Sequence, residues 1–169
     1  MNPEVRALSP EALTAEAFAG FGEVIETRGG FELINSGTTR HFADLAGIDV
    51  AGEGGRPCVS IYRATPYPVP MAIRMLERHP LSSQLFMPLS GARFLIVVAA
   101  AAVVPDRSSV RAFVTNGRQG INYRRGTWHH PLIALGDPGE FLVIDRSGPG
   151  TNCDEFVFGD SGIELRPPV

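Results

Sequence analysis

The sequence is poor in cysteine. Cys58 and Cys153 are its two, 95 positions apart and in no CxxC pattern, so a disulfide framework is not expected and each reads as a reduced thiol. It also lacks a long apolar run. The longest, Phe94–Val104, has eleven residues, and a membrane-crossing helix needs about 20. The first residues, MNPEVRALSPEALTAEAF, mix acids and bases with no long apolar stretch. No secretory signal is visible there, and the expectation is a cytoplasmic protein with no membrane partner. An excess of positive charge is missing too. Lys plus Arg is 15 against 18 for Asp plus Glu, a net charge of −3, which argues against a nucleic-acid partner. No internal repeat, low-complexity segment or DNA-binding motif is evident.

What remains is 169 residues of ordinary globular composition, 44% hydrophobic and 20% charged. That length suits a single domain, residues 1–169, able to bury roughly 70% of its unfolded surface. Glycine (19) and proline (14) are plentiful and favour short strands joined by tight turns, hence an all-β class. Helical signals are confined to the start. Ser9-Pro10-Glu11 reads as a helix N-terminus, and Thr14 before Ala15-Glu16-Ala17-Phe18 as a second, stopped by Gly20.

Strand-like runs follow: Gly22–Glu26, Cys58–Ala64, Leu85–Leu89, Phe94–Val104 with its alanines taken as part of a buried strand, Arg111–Thr115, Ile121–Arg124, Leu132–Leu135 and Phe141–Asp145. Strands at intervals of about 8–12 residues point to a sandwich or barrel. Thr65–Pro70 reads as a short rigid connector.

The chemistry is concentrated in Glu77-Arg78-His79-Pro80-Leu81-Ser82-Ser83-Gln84, which leads to Gly91. Glu77 and His79 share one face if that stretch is extended. The pattern resembles the first motif of the cupin superfamily. Glu77 stands at the usual first histidine, His79 at the second, Gln84 at the glutamate and Gly91 at the turn glycine. Gly126-Thr127-Trp128-His129 resembles the second motif, with Arg124 where a proline is usual. The resemblance implies an all-β, cupin-like β-barrel or jelly roll with short N-terminal helices. Glu77, His79, Gln84 and His129 would then converge in one pocket. A carboxylate, two imidazoles and an amide suit a first-row divalent metal, held less tightly than by a full set of three histidines and a glutamate.

A closer resemblance is carried by Glu77–Leu81, Arg111–Gly117, Gln119–Tyr123, Trp128–Leu132, Asp145-Arg146 and Asn152–Asp154. These segments are similar to the ureidoglycolate lyase family of allantoin (purine) degradation. The resemblance implies a homodimer that cleaves (S)-ureidoglycolate to glyoxylate and urea, with a divalent metal, often nickel. The small anionic substrate demands a carboxylate clamp, a base near its hydroxyl and an acid or Lewis acid at the urea end. Arg63, Arg124 and Arg146 are candidates for the clamp, Arg63 first. Asn116, with Gly117, could offer amide donors to the ureido carbonyl, or simply form a hairpin turn.

His79 or His129 suits the base, or Glu77 if burial raises its pKa. Gln84 and Tyr123 are further substrate contacts, Tyr123 being equally suited to a barrel wall. His130 should face away from His129, and Trp128 should lie in the core or an interface. Asp145-Arg146 is compatible with a structural ion pair or a catalytic role. Two rival functions remain at this stage: an amidohydrolase that releases ammonia, and a non-catalytic barrel that binds a small acid.

Overall fold

The computed structural model describes residues 5–159 and 162–168. Two antiparallel-rich sheets face each other and enclose the main core. One sheet has the strand order Gly22–Ile25, Gly120–Tyr123, Gln84–Pro88, Gly139–Ser147, Arg56–Ala64. The facing sheet runs Asp154–Val157, Met75–Arg78, Trp128–His129, Phe94–Ala99, Arg111–Val114, Glu11–Ala12, with Ile133–Ala134 also paired to Phe94–Ala99. Between them lie Phe18, Phe86, Phe94, Ile96, Val98, Phe113, Ile121, Phe141 and Val143, all buried. This two-sheet barrel is the cupin-like, all-β architecture that the sequence motifs implied.

The Phe94–Ala99 strand explains its own composition. Phe94, Ile96 and Val98 face the barrel interior. Leu95, Val97 and Ala99 face a second core, with Leu76, Trp128, Ile163 and Leu165. That core is roofed by a small sheet of Arg6–Leu8, Ile163–Leu165 and Met71–Ala72. A strand buried on both faces needs an unbroken apolar run rather than alternation.

Two local expectations are corrected. Ser9-Pro10-Glu11 does not start a helix. Arg6–Leu8 and Glu11–Ala12 are strands, the latter pairing in parallel with Phe113 and Val114. Sheet pairing here outweighs a local capping signal. The one α-helix among the described residues is Ala15–Phe18, where Thr14 Oγ1 accepts the Ala17 N–H. The Phe94–Val104 run also ends early, at Ala99. Residues 100–104 form an exposed turn whose Ala102 carbonyl accepts hydrogen bonds from Arg78 and Trp128 Nε1. Alanine was a poor guide there because it suits either setting. No described helix is long and apolar enough to cross a membrane.

Candidate active site

Strand register assembles the site in two facing rows. In the second sheet His129 lies opposite Glu77, and Glu77 opposite Glu155. In the first sheet Tyr123 lies opposite Gln84, and Asp145 opposite Cys58. Ile144 pairs with Leu85, so Asp145 and Gln84 belong to the same row. These residues continue the inward faces of Phe141, Val143, Phe86 and Ile121. Polar side chains thus cap one end of an otherwise apolar interior, and each must find a partner there.

Glu77, His79 and His129 bring one ligand atom each to within 4.8 Å of one another. His129 is fully buried and its Nε2 lies 3.5 Å from Glu77 Oε1. Its Nδ1 donates to the Thr127 carbonyl at 2.9 Å. His79 Nδ1 donates likewise to the Asn152 carbonyl at 2.6 Å. Asn152 is itself pinned, its side chain accepting from Leu81 N and donating to Ser82 Oγ. Both imidazoles therefore present Nε2 to the site. Each Nε2 is buried without a hydrogen-bond partner, as is Gln84 Oε1. Tyr123 stacks on His129 with ring centroids 4.1 Å apart and planes 14° from parallel, forming a wall beneath it.

The electrostatics follow from that packing. Burial works to raise the Glu77 carboxyl, but the polar contact with His129 and the attraction of the His129 and His79 rings outweigh it. The carboxyl is held below the usual carboxylate range. Burial pushes the His129 imidazole down, against the opposing pull of Glu77. Burial likewise raises Asp145 and Tyr123. Contact with the histidines thus favours the ionised form of Glu77, while burial favours the neutral form of His129.

Histidines that bind metals characteristically donate their second nitrogen to a carbonyl or carboxylate. His79 and His129 both do so. Together with the orphaned Nε2 atoms and the adjacent carboxylate, this donor set fits a divalent cation.

A cleft of about 310 Å³ opens beside the cluster, lined by His79, Gln84, Asp145, Arg146, Thr151, Asn152 and Cys153. The chain contains no lysine, so any fixed cation for an anionic substrate is an arginine. Arg146 is the arginine that lines this cleft. Its Nε and Nη2 donate to the Gly52 carbonyl at 3.2 and 2.9 Å, and Nη2 also reaches the Glu53 carbonyl. Nη1 makes no hydrogen bond among the described residues. Gly55 makes the room, since a Cβ there would collide with Arg146 Nε and the Val50 carbonyl.

The other expected contacts are distributed differently. Arg63, the first-choice clamp, sits on the outer face, 79% exposed, its Nε and Nη2 both on Glu140 Oε1. Arg124 is exposed and bonds the Ala19 carbonyl. Asn116 forms a turn with Gly117 at φ 87°, its Oδ1 accepting from Arg118 N. It lines a different cleft, with Glu26, Arg93 and Gln119. Neither Arg63 nor Asn116 lines the cleft beside Glu77, and Arg146 does. His130 packs edge-on against Tyr67, and Trp128 is buried in the second core. Asp145 and Arg146 do not pair. The sequence signal for Asp145 was its alternation with Phe141 and Val143, which puts it on the inward face.

The fold and site define a cupin-like barrel carrying a carboxylate–imidazole centre beside a cleft lined by an arginine. The sequence profile described as ureidoglycolate lyase matches residues 5–165. A protein of Azotobacter vinelandii named ureidoglycolate lyase is 55% identical over 157 residues, 92% of this chain and 95% of that one. One of Pseudomonas syringae pv. syringae with the same name is 51% identical over 165 residues, 97% of each chain. One of Burkholderia mallei, again so named, is 55% identical over 152 residues, 89% of each. The chain belongs to the ureidoglycolate lyase family. Among solved structures, RmlC from Streptococcus suis in complex with dTDP-D-xylose overlaps 57% of this chain and 45% of its own, at 14% identity and a TM-score of 0.39. That overlap is too partial to inform on the site.

Proposed function

We propose that the protein is a carbon–nitrogen lyase that cleaves (S)-ureidoglycolate to glyoxylate and urea, a step of allantoin (purine) degradation. The observation that carries this reading is the convergence of Glu77, His79 and His129 on one point beside the Arg146 cleft. Family membership supplies the substrate.

The reaction is the collapse of a carbinolamide. Arg146 takes the substrate carboxylate through its uncommitted Nη1, with its fork already oriented by two backbone carbonyls. A base removes the hydroxyl proton, the C–N bond breaks, and the departing urea nitrogen gains a proton. His79 Nε2 and His129 Nε2 are the free imidazole lone pairs available for the proton. Glu77, kept ionised, stabilises the imidazolium that forms. Gln84 Oε1 offers an acceptor to the substrate, and Tyr123 holds the plane of His129. A divalent cation, nickel by family resemblance, would occupy these same Nε2 lone pairs of His79 and His129 in place of the proton, held with Glu77 and Gln84, and would acidify the hydroxyl as a Lewis acid instead of an imidazole base.

The protein is further read as a cytoplasmic homodimer. Two free cysteines, Cys58 and Cys153, suit a reducing compartment. The Arg56–Ala64 strand lies at a sheet edge with Val59 66% and Ile61 54% exposed on its outer face. An apolar sheet face of this kind suits burial against a second copy.

The test is turnover of (S)-ureidoglycolate with the nitrogen products quantified. Equal amounts of urea and glyoxylate are expected. Ammonia as the main nitrogen product would instead indicate hydrolysis of the ureido carbonyl, and no turnover would leave only a small-acid-binding barrel.

A further inference from the structure

One carboxylate in the cleft has no task in the mechanism above. Asp145 points inward, opposite Cys58 and in the row of Gln84, and lines the cleft with Arg146. Among the described residues no arginine or histidine pairs with it, and its side-chain partner is the weakly donating Cys58 thiol. An unpaired carboxylate beside an arginine that receives an anionic substrate is an electrostatic cost. It is repaid where the ligand brings N–H donors to that spot. Gln84 Oε1 in the same row is a second acceptor, buried and unpartnered.

This acceptor pair matches a ureido group, which carries an N–H on the carbon that bears the carboxylate and an NH₂ at the far end of the substrate. We propose that Asp145 is a specificity-determining residue that accepts the N–H donors of the ureido group, alongside Gln84 Oε1. The inference rests on the lyase reading for the identity of the substrate. Arg146 then reads one end of the ligand and Asp145 the other. A compound that lacks the ureido group leaves both acceptors unsatisfied, and a site built to hydrogen-bond a group discriminates strongly against analogues without it.

The test uses two unreactive probes titrated by calorimetry into the wild type, Asp145→Asn and Asp145→Ala. N-carbamoylglycine has the carboxylate and the ureido group but no hydroxyl. Glycolate has the carboxylate and the hydroxyl but no ureido group. Asp145→Ala is expected to weaken N-carbamoylglycine by about 10- to 100-fold, the scale of a hydrogen bond to a charged group. Asp145→Asn, which keeps one carbonyl acceptor, falls between. Glycolate binding is expected to be unchanged in both variants, which also reports an intact site. Parallel loss of both probes, or undiminished binding of N-carbamoylglycine, would overturn the role of Asp145. Failure of the wild type to bind either probe would overturn the lyase reading of the cleft itself.

Discussion

Glu77 Oε1 and His129 Nε2 face each other at 3.5 Å inside the barrel. The Nδ1 proton of His129 is committed to the Thr127 carbonyl. Glu77 is held ionised. Two lone pairs aimed at one point are repulsive until a proton or a cation lies between them. The pair is therefore a receptor for positive charge, whether that is a proton taken from substrate or a divalent ion.

Replacing the carboxylate removes half of that receptor. Glu77→Gln is nearly isosteric, so the fold should survive. Turnover should fall by about 10²- to 10⁴-fold, the usual worth of a positioned acid–base group. Steady-state kinetics, with circular dichroism as the folding control, measures it. Wild-type turnover in this variant would remove Glu77 from the chemistry.

The same cluster predicts metal affinity. Chelator-treated protein should take up a divalent ion, and nickel binding can be followed by calorimetry. His79→Ala and His129→Ala should each abolish or greatly weaken uptake. Asn152→Ala, which frees the carbonyl that holds His79, should weaken it by about 10- to 100-fold, the typical worth of a group supporting a ligand. Uptake unaffected by both histidine variants would place any bound metal elsewhere.

Arg146 and Arg63 make a paired prediction. Arg146→Ala should raise KM at least about tenfold, since a charge-assisted hydrogen bond is worth about 1.5–3 kcal/mol. Arg63→Ala should leave kinetics unchanged, because its exposed pair with Glu140 lies on the outer face. Gly55→Ala should resemble the Arg146 variant by displacing the guanidinium. The reverse ranking of Arg63 and Arg146 would contradict the assignment of the cleft.

That contrast shows how far the sequence could be read. The resemblance of the Glu77–Gln84 and Gly126–His129 segments to the two cupin motifs implied the convergence of Glu77, His79 and His129 at one point. The short strands and their order in the chain were also legible, because apolar runs and turn residues are local signals. The choice among arginines was not. Arg63 and Arg146 lie on paired strands, and only the folded loop shows that Arg146, held on the Gly52 and Glu53 carbonyls, lines the cleft while Arg63 pairs with Glu140 on the outer face. Asp145 was obscured by its neighbour Arg146, since adjacency suggested an ion pair while strand alternation separates their faces. The start of the chain misled for a related reason. Ser9-Pro10-Glu11 carries a local helix signal, but Glu11 and Ala12 gain more by pairing with Phe113 and Val114.

Stability should depend on pH in a defined direction. Burial lowers the His129 pKa in the folded state, so the unfolded chain binds the extra proton first. Stability is then fully present above the unfolded value of about 6.5 and is lost as pH falls through the folded value. Glu77, also lowered, adds a loss of the same sign below the ordinary carboxylate range. The thermal midpoint should drop on acidification from neutral pH, and His129→Gln should reduce that drop. A pH dependence unchanged in the variant would show that His129 is not responsible.

The central claim is that this carboxylate–imidazole centre cleaves the C–N bond of ureidoglycolate. The most direct measurement follows urea, glyoxylate and ammonia together from (S)-ureidoglycolate, with wild type and Glu77→Gln side by side. The account predicts stoichiometric urea and glyoxylate from the wild type and a severe loss of both in the variant. Ammonia in place of urea, or undiminished urea release by Glu77→Gln, would contradict it.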